Sequence, residues 1–191
     1  MVGFAKSKRP LLYIYFTISV LLLLSPAPAL CDQSNDDDMP DESFFLHCSG
    51  GEIKQLKEAF QSKPHWVHAT TKDGESCLHL AGILGHASVT KLLLDLKADP
   101  NVRSTFEQGL RMHPLSWNVY ANHYDNCQLL LEHGADVNAD FDLVIQQDKP
   151  REVVTVLNII HRMKEGGNHD FDKLEKLLLK HGAKTWKELQ Q

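Results

Sequence analysis

Residues 73–86 read DGESCLHLAGILGH. Two turn signals, Asp73-Gly74 and Gly85, bracket a short apolar stretch that reads as a helix. Two histidines, His79 and His86, flank it, and Ile83-Leu84 closes the apolar stretch before the second turn. Such a segment suits a catalytic loop, a metal site, or one unit of something repeated. The rest of the chain decides among these. Leu92-Leu93-Leu94-Asp95-Leu96-Lys97-Ala98-Asp99-Pro100-Asn101 aligns with Leu129-Leu130-Leu131-Glu132-His133-Gly134-Ala135-Asp136-Val137-Asn138 at an offset of 37. The same offset lays Leu78 on Leu115 and His86 on His123. A third triple leucine, Leu177-Leu178-Leu179-Lys180-His181-Gly182-Ala183, follows at a wider spacing than that between the first two.

Each triple leucine ends a helical pattern. Val89, Leu92 and Leu93 fall at i, i+3 and i+4, as do Leu174, Leu177 and Leu178, the spacing of one buried helix face. Gly134 and Gly182 follow, where a left-handed residue stops a helix without a Cβ clash. A shorter helix precedes each of these, so the unit is a helix pair.

The start of the shorter helix, Ser76-Cys77-Leu78-His79-Leu80-Ala81, resembles the ankyrin repeat pattern Thr-Pro-Leu-His-x-Ala. Gly85-His86 and Ala98-Asp99-Pro100-Asn101 stand in register with it. The second copy opens His113-Pro114-Leu115-Ser116. The third is degenerate: Thr155-Val156-Leu157-Asn158, an insertion around Glu165-Gly166-Gly167-Asn168, then Leu177 to Ala183. An N-terminal copy runs from Phe44-Phe45-Leu46 through Gly51, Ile53, Leu56, Ala59 and Phe60 to Val67-His68-Ala69. The resemblance implies an all-α solenoid of about four stacked helix-turn-helix repeats, joined by short β-turn or hairpin loops. The repeats are expected at about 42–70, 71–104, 109–140 and 150–186, within an array at 42–186 followed by a tail at 187–191. Single helix pairs cannot bury their own apolar faces, so the copies must stack.

The departures from the pattern carry expectations of their own. Lys97 replaces the helix-ending Gly, at a cost of about 1 kcal/mol in a left-handed turn, so that turn is expected to re-form. Asn122 replaces the Gly that matches Gly85, and Asn is the next most tolerant residue there. Trp117 and Asn118 replace Leu80 and Ala81; a buried Asn118 needs hydrogen-bond partners, and looser packing is expected around it. The link from Arg103 to Arg111 exceeds the family's usual length by about four residues.

Residues 1–31 are of another kind. Lys6, Lys8 and Arg9 precede Leu11–Leu24, a short apolar run, and then come Ser25-Pro26-Ala27-Pro28-Ala29-Leu30-Cys31. A basic start, a short apolar run and small residues describe a secretory signal peptide at 1–31, with cleavage after Ala29 or Cys31. A bilayer-spanning helix needs about 20 apolar residues; the alternative is that residues 11–24 are retained as a membrane anchor. Residues 32–41, rich in aspartate and without apolar bulk, are expected to be a disordered linker. The net charge is −5. Loss of the signal peptide removes Lys6, Lys8 and Arg9 and no acid, so the mature chain is more acidic still. Nothing in that balance suggests nucleic acid, and a membrane enters only if the apolar run is kept.

Chemistry is sparse. No Gly-x-Ser-x-Gly, phosphate loop or His-Glu-x-x-His occurs, so neither cofactor nor metal is expected. An enzyme built on Cys77 or a histidine site is the minor alternative. Cys48, Cys77 and Cys127 each lie in an apolar helical pattern and read as buried small hydrophobes, although export would permit one disulfide. The resemblance assigns structural roles to Gly74, Leu78, His79, Ala81, Gly85, His86, Pro114, Leu115, Gly134 and Gly182. His79 would steady the turn and His86 would open the second helix. The resemblance also implies a partner-binding groove, lined by turn tips and the exposed side of each first helix. Mapped here, it takes Lys72, Asp73 and Glu75 at one tip and Ile83 and Leu84 on the helix beside it. Met112, Trp117 and Tyr120 follow in the next copy, and Arg162 and Met163 in the last. The function implied is a non-catalytic protein-binding module, exported to the secretory pathway or beyond, with a protein partner the sequence does not name.

Overall fold

The computed structural model describes residues 39–105, 110–143, 152–165, 167 and 169–191. The signal peptide, most of the acidic linker, and parts of the insertions at 106–109, 144–151 and 165–168 lie outside the described residues. Among the described residues, helix pairs follow one another: α1 (Glu42–Gly50) with α2 (Ile53–Ser62), α3 (Cys77–Leu84) with α4 (Ala87–Asp95), α5 (Pro114–Tyr120) with α6 (Tyr124–Glu132), and α7 (Val156–Glu165) with α8 (Asp172–Lys180). A last helix, α9 (Trp186–Leu189), falls where a tail is expected. Strands β1 (Phe141–Leu143) and β2 (Glu152–Val154) form an antiparallel hairpin between the third and fourth pairs, Phe141 opposite Val154.

The pairs stack into two layers. First helices pack α1 on α3, α3 on α5 and α5 on α7; second helices pack α4 on α6 and α6 on α8. Leu78, Leu93, Leu115, Leu130, Leu174 and Leu178 lie in the interior with no more than 2% of their surface exposed. Each such side chain contributes on the order of 2 kcal/mol by leaving water. The first pair adds an aromatic cluster: the Phe44 ring meets Phe45, Phe60 and Trp66 edge-on, at centroid distances of 5.3, 5.7 and 5.2 Å.

Local chemistry sets the helix limits. Asp41 caps α1, its carboxylate accepting from the Phe44 amide at 3.2 Å. Pro114 opens α5 at the position where a missing N–H costs nothing. Gly51 and Gly85 end the first helices in left-handed conformation (φ 71° and 79°). A Cβ at either would also strike the histidine of the next pair, His86 at 2.6 Å and His123 at 2.7 Å. Glycine is thus needed there for the turn and for the stacking. Asn122 holds the equivalent turn at φ 59°. The Lys97 turn does not re-form: Lys97 keeps the left-handed conformation at φ 68°. The Lys97 amide bonds to the Leu94 carbonyl at 3.0 Å and the Ala98 amide to the Leu93 carbonyl at 2.9 Å, and these two bonds hold it there.

Polar hooks join the pairs in both directions. The imidazoles of His86 and His123 reach back to the carbonyls of Ser49 (2.7 Å) and Ile83 (3.2 Å). Asn101 and Asn138 reach forward. The Asn101 amide donates to the Gly134 carbonyl at 3.0 Å and its oxygen accepts from the Asp136 amide at 2.8 Å. Asn138 does the same with Gly182 (3.1 Å) and Lys184 (2.8 Å). Cys48 of α1 and Cys77 of α3 form a disulfide, their Cα atoms 5.2 Å apart. The expectation that both are free buried thiols is corrected; Cys127 is free and buried as expected.

Candidate functional site

The first helices stand side by side, so equivalent residues recur from helix to helix. One register position carries Ile83, Tyr120 and Arg162, and the next Leu84, Ala121 and Met163. The structure separates the neighbours Ile83 and Leu84. Ile83 is 7% exposed and belongs to the core, whereas Leu84 is 46% exposed. Adjacent helical residues point about 100° apart, and the helix turns Ile83 inward. Ile83 is therefore corrected from surface contact to core. Met112 is corrected likewise, at 1% exposed. It sits just before α5, where its carbonyl faces the buried His79 at 3.2 Å.

Trp117 and Tyr120 are half-buried on α5. Burial pushes the Tyr120 hydroxyl up to about 12, so it stays a neutral donor. The indole nitrogen of Trp117 is enclosed, and among the described residues no atom accepts from it. Arg162 is half-buried and bonded to Glu152 of the hairpin, so its charge is already paired within the chain. Met163 is half-buried beside it.

The turn tip before α3 is tightly built. The Gly74 amide donates to the Thr71 carbonyl and the Thr71 amide to the Glu75 carbonyl, both at 2.9 Å. Gly74 is left-handed at φ 73°, and Thr105 of the next turn packs against it, donating its amide to the Asp73 carbonyl at 2.8 Å. Lys72 and Asp73 are exposed; Glu75 is half-buried. Burial, followed by the negative charge of Asp73, pushes the Glu75 carboxyl up to about 7.

Sequence reasoning missed a second charged feature, the ties that anchor the two insertions. Arg103 lies 3.7 Å from Asp140 and 3.9 Å from Asp142, and Arg111 lies 4.0 Å from Asp142. The Arg103 side chain also donates to the Arg111 carbonyl at 3.0 Å, where Arg111 turns the chain back at φ 46°. The length of the Arg103–Arg111 link signals an insertion, but nothing in it signals Asp140 and Asp142, a whole repeat further along.

The structure removes the residue on which an enzyme reading leaned. Cys77 is 1% exposed and its sulfur is in a disulfide, so it offers no thiolate. Burial pushes the Cys127 thiol up, keeping it protonated. His79 is wholly enclosed and held by Ser76 and Met112. Among the described residues no three His, Cys, Asp or Glu side chains are grouped to hold a metal ion.

Stacked helix pairs with forward and backward hooks define the class: a repeat solenoid, with each pair closed by its neighbours. Residues 44–140 match the family model of ankyrin repeats, in three copies, and the chain belongs to the ankyrin repeat family. It is also similar to two known proteins. One is the transient receptor potential cation channel subfamily A member 1 homolog of Caenorhabditis elegans, 26% identical over 125 residues, which are 65% of this chain and 10% of that protein. The other is an ankyrin repeat protein of Acanthamoeba polyphaga mimivirus, 35% identical over 72 residues, 38% of this chain and 9% of that protein. The chain thus spans about a tenth of the length of each relative. Ankyrin repeats generally mediate protein–protein binding and are generally non-enzymatic, so the family supports a protein-interaction module.

Proposed function

We propose that this protein is a non-catalytic binding module that takes its partner on the outer face of the first helices, in an oxidising compartment of the secretory route or outside the cell. The exposure of Leu84 carries the binding reading: a large apolar side chain, 46% exposed, ends the helix α3, which packs on the α5 that carries half-buried Tyr120 and Trp117. Lys72 and Asp73 supply an exposed charged edge. Exposed apolar centres with polar rims are the usual make-up of a partner site. The export reading is supported by the pattern of residues 1–31 and by the Cys48–Cys77 bridge, since disulfides persist mainly in oxidising compartments. The alternative is a membrane-tethered scaffold with residues 11–24 retained. No helix among the described residues is long and apolar enough to cross a membrane, so that alternative rests on those residues alone.

Two measurements test this. Affinity capture with wild type, a Leu84→Glu/Tyr120→Ala variant and a second-helix control, Lys91→Glu, should recover one partner with wild type and control and lose it with the face variant. Equal recovery by all three refutes the face. Sequencing the N-terminus of protein expressed in its own cells should find a start at Leu30 or Asp32; an intact start favours the tether.

A further inference from the structure

The boundary between the first and second pairs is built unlike the others. At the second and third boundaries, second helices pack together and an asparagine, Asn101 or Asn138, bonds forward into the next pair. At the first boundary α2 packs on α1 and on the short Pro64–His68 turn, and no more than marginally on α4. The α1–α3 packing, the His86–Ser49 hydrogen bond and the Cys48–Cys77 disulfide cross this boundary. The covalent link stands where the other boundaries have a second packed layer. Cys77 itself occupies the position of the family's helix-opening proline, which supplies no such link.

We propose that the Cys48–Cys77 disulfide is a redox-operated clamp: closed, it holds the first pair on the array; opened by a dithiol reductant, it releases that pair as a unit while the other three stay folded. A thiolate of the dithiol attacks one cysteine sulfur, the S–S bond breaks and a mixed disulfide forms. The second thiolate of the reductant displaces the remaining cysteine, so the dithiol leaves as its own disulfide having given two electrons. The two protons of the dithiol end on the sulfurs of Cys48 and Cys77.

Both sulfurs are enclosed, with Cys48 0% and Cys77 1% exposed. The reductant therefore reaches them only when the first pair lifts. Repeat arrays open locally, with each unit bound only by its neighbours, and the first pair has a neighbour on one side among the described residues. The clamp thereby couples attack to the motion it controls. Opening uncovers the α3 side now covered by α1, the side that carries Cys77, and removes α1 from the row of first helices. The proposal concerns the array itself and stands whether or not the partner face is placed correctly.

Hydrogen exchange by mass spectrometry on the full chain, purified without reductant, tests it. Dithiothreitol should speed amide exchange in residues 42–62 at least tenfold and leave residues 114–132 unchanged. A Cys48→Ala/Cys77→Ala variant should match the reduced wild type and ignore the reductant, and Cys127→Ala should respond as wild type does. Should the double variant fail to fold, wild-type helicity titrated with dithiothreitol decides: partial loss is expected. Equal protection of residues 42–62 with and without reductant overturns the proposal. So does loss spread evenly over all four pairs, or full alkylation of Cys48 and Cys77 before reduction.

Discussion

His79 uses both ring nitrogens, one within the second pair and the other to tie that pair to the third. Nδ1 accepts from the Ser76 amide at 3.0 Å, so Nε2 carries the proton and donates to the Met112 carbonyl at 3.2 Å. Burial lowers its pKa to about 4, with the Met112 bond opposing in part. The folded value lies below the unfolded one, so the neutral ring stabilises the fold above about pH 6.5 and that contribution is lost as pH falls to 4. Glu75 has the opposite sign. Its pKa is raised, so its charge costs stability above pH 7, and the cost is relieved as pH falls toward 4.5. The two trends offset one another between pH 6.5 and 4.5. Glu75→Gln should therefore raise stability at pH 8 by about 1–2 kcal/mol and steepen the acid loss. Urea unfolding at pH 8, 6 and 5 reads this, and unchanged stability at pH 8 counts against it. Asn118 shows a different accommodation. It is fully buried, donates to the Pro114 carbonyl at 2.8 Å, and lies against Gly82, where a Cβ would overlap its amide nitrogen. The glycine opens room for the asparagine, so the packing is adjusted rather than loose. Gly82→Ala should cost about 1–3 kcal/mol, and Asn118→Ala in the same chain should recover most of it. Additive losses in that double-mutant cycle would contradict the fit.

Among the elements, repeated residues were the legible ones. The triple leucines recur in three copies and Gly134 recurs as Gly182, and each sits in the structure where its helix pair needs it. Asn101 and Asn138 recur at the same offset, yet their role as forward straps depends on the neighbouring Gly134 and Gly182 carbonyls. Positions that occur once were not legible. The Cys48–Cys77 bond needs α1 and α3 side by side, which spacing alone does not give. The Ile83 and Leu84 pair is apolar throughout, so only the rotation of α3 tells core from surface. Lys97 followed its backbone neighbours into a turn its own side chain disfavours. The straps lead to a prediction at this scale. Asn138→Ala removes two hydrogen bonds to the last pair and should cost about 1–2 kcal/mol. The loss should be local, with faster amide exchange in α8 and α9 and little change in α3 and α4. Uniform acceleration along the array would show that the strap is not a boundary element.

At the scale of the whole molecule, the array is bound together one boundary at a time. Of the inner pairs the third is covered on both sides in both layers and the second on both sides of α3, and Leu93, Val119, Cys127 and Leu130 within them have 0% exposure. The last pair is tied to the third by Asn138 and by the Lys173 ammonium, 3.7 Å above the Tyr124 ring. Within the last pair, Lys164 bonds Asp172 at 2.8 Å and Glu175 at 2.5 Å across the insertion. Stability in such arrays is close to a sum of units and boundaries. Amides of α5 and α6 should accordingly exchange most slowly, and those of α9 fastest among the helices. A single rate shared by all helices would instead mean one cooperative block.

The tryptophans fall usefully along this arrangement. Trp66 packs on Phe44 in the first pair, Trp117 lies on α5 in the third, and Trp186 begins α9, its amide bonded to Asn158 at 2.9 Å. The second pair contains none. The chain therefore carries an intrinsic optical address for each end and for its middle. With any two replaced by phenylalanine, the emission of the third becomes a local gauge, able to time the departure of one region while the others stay dark.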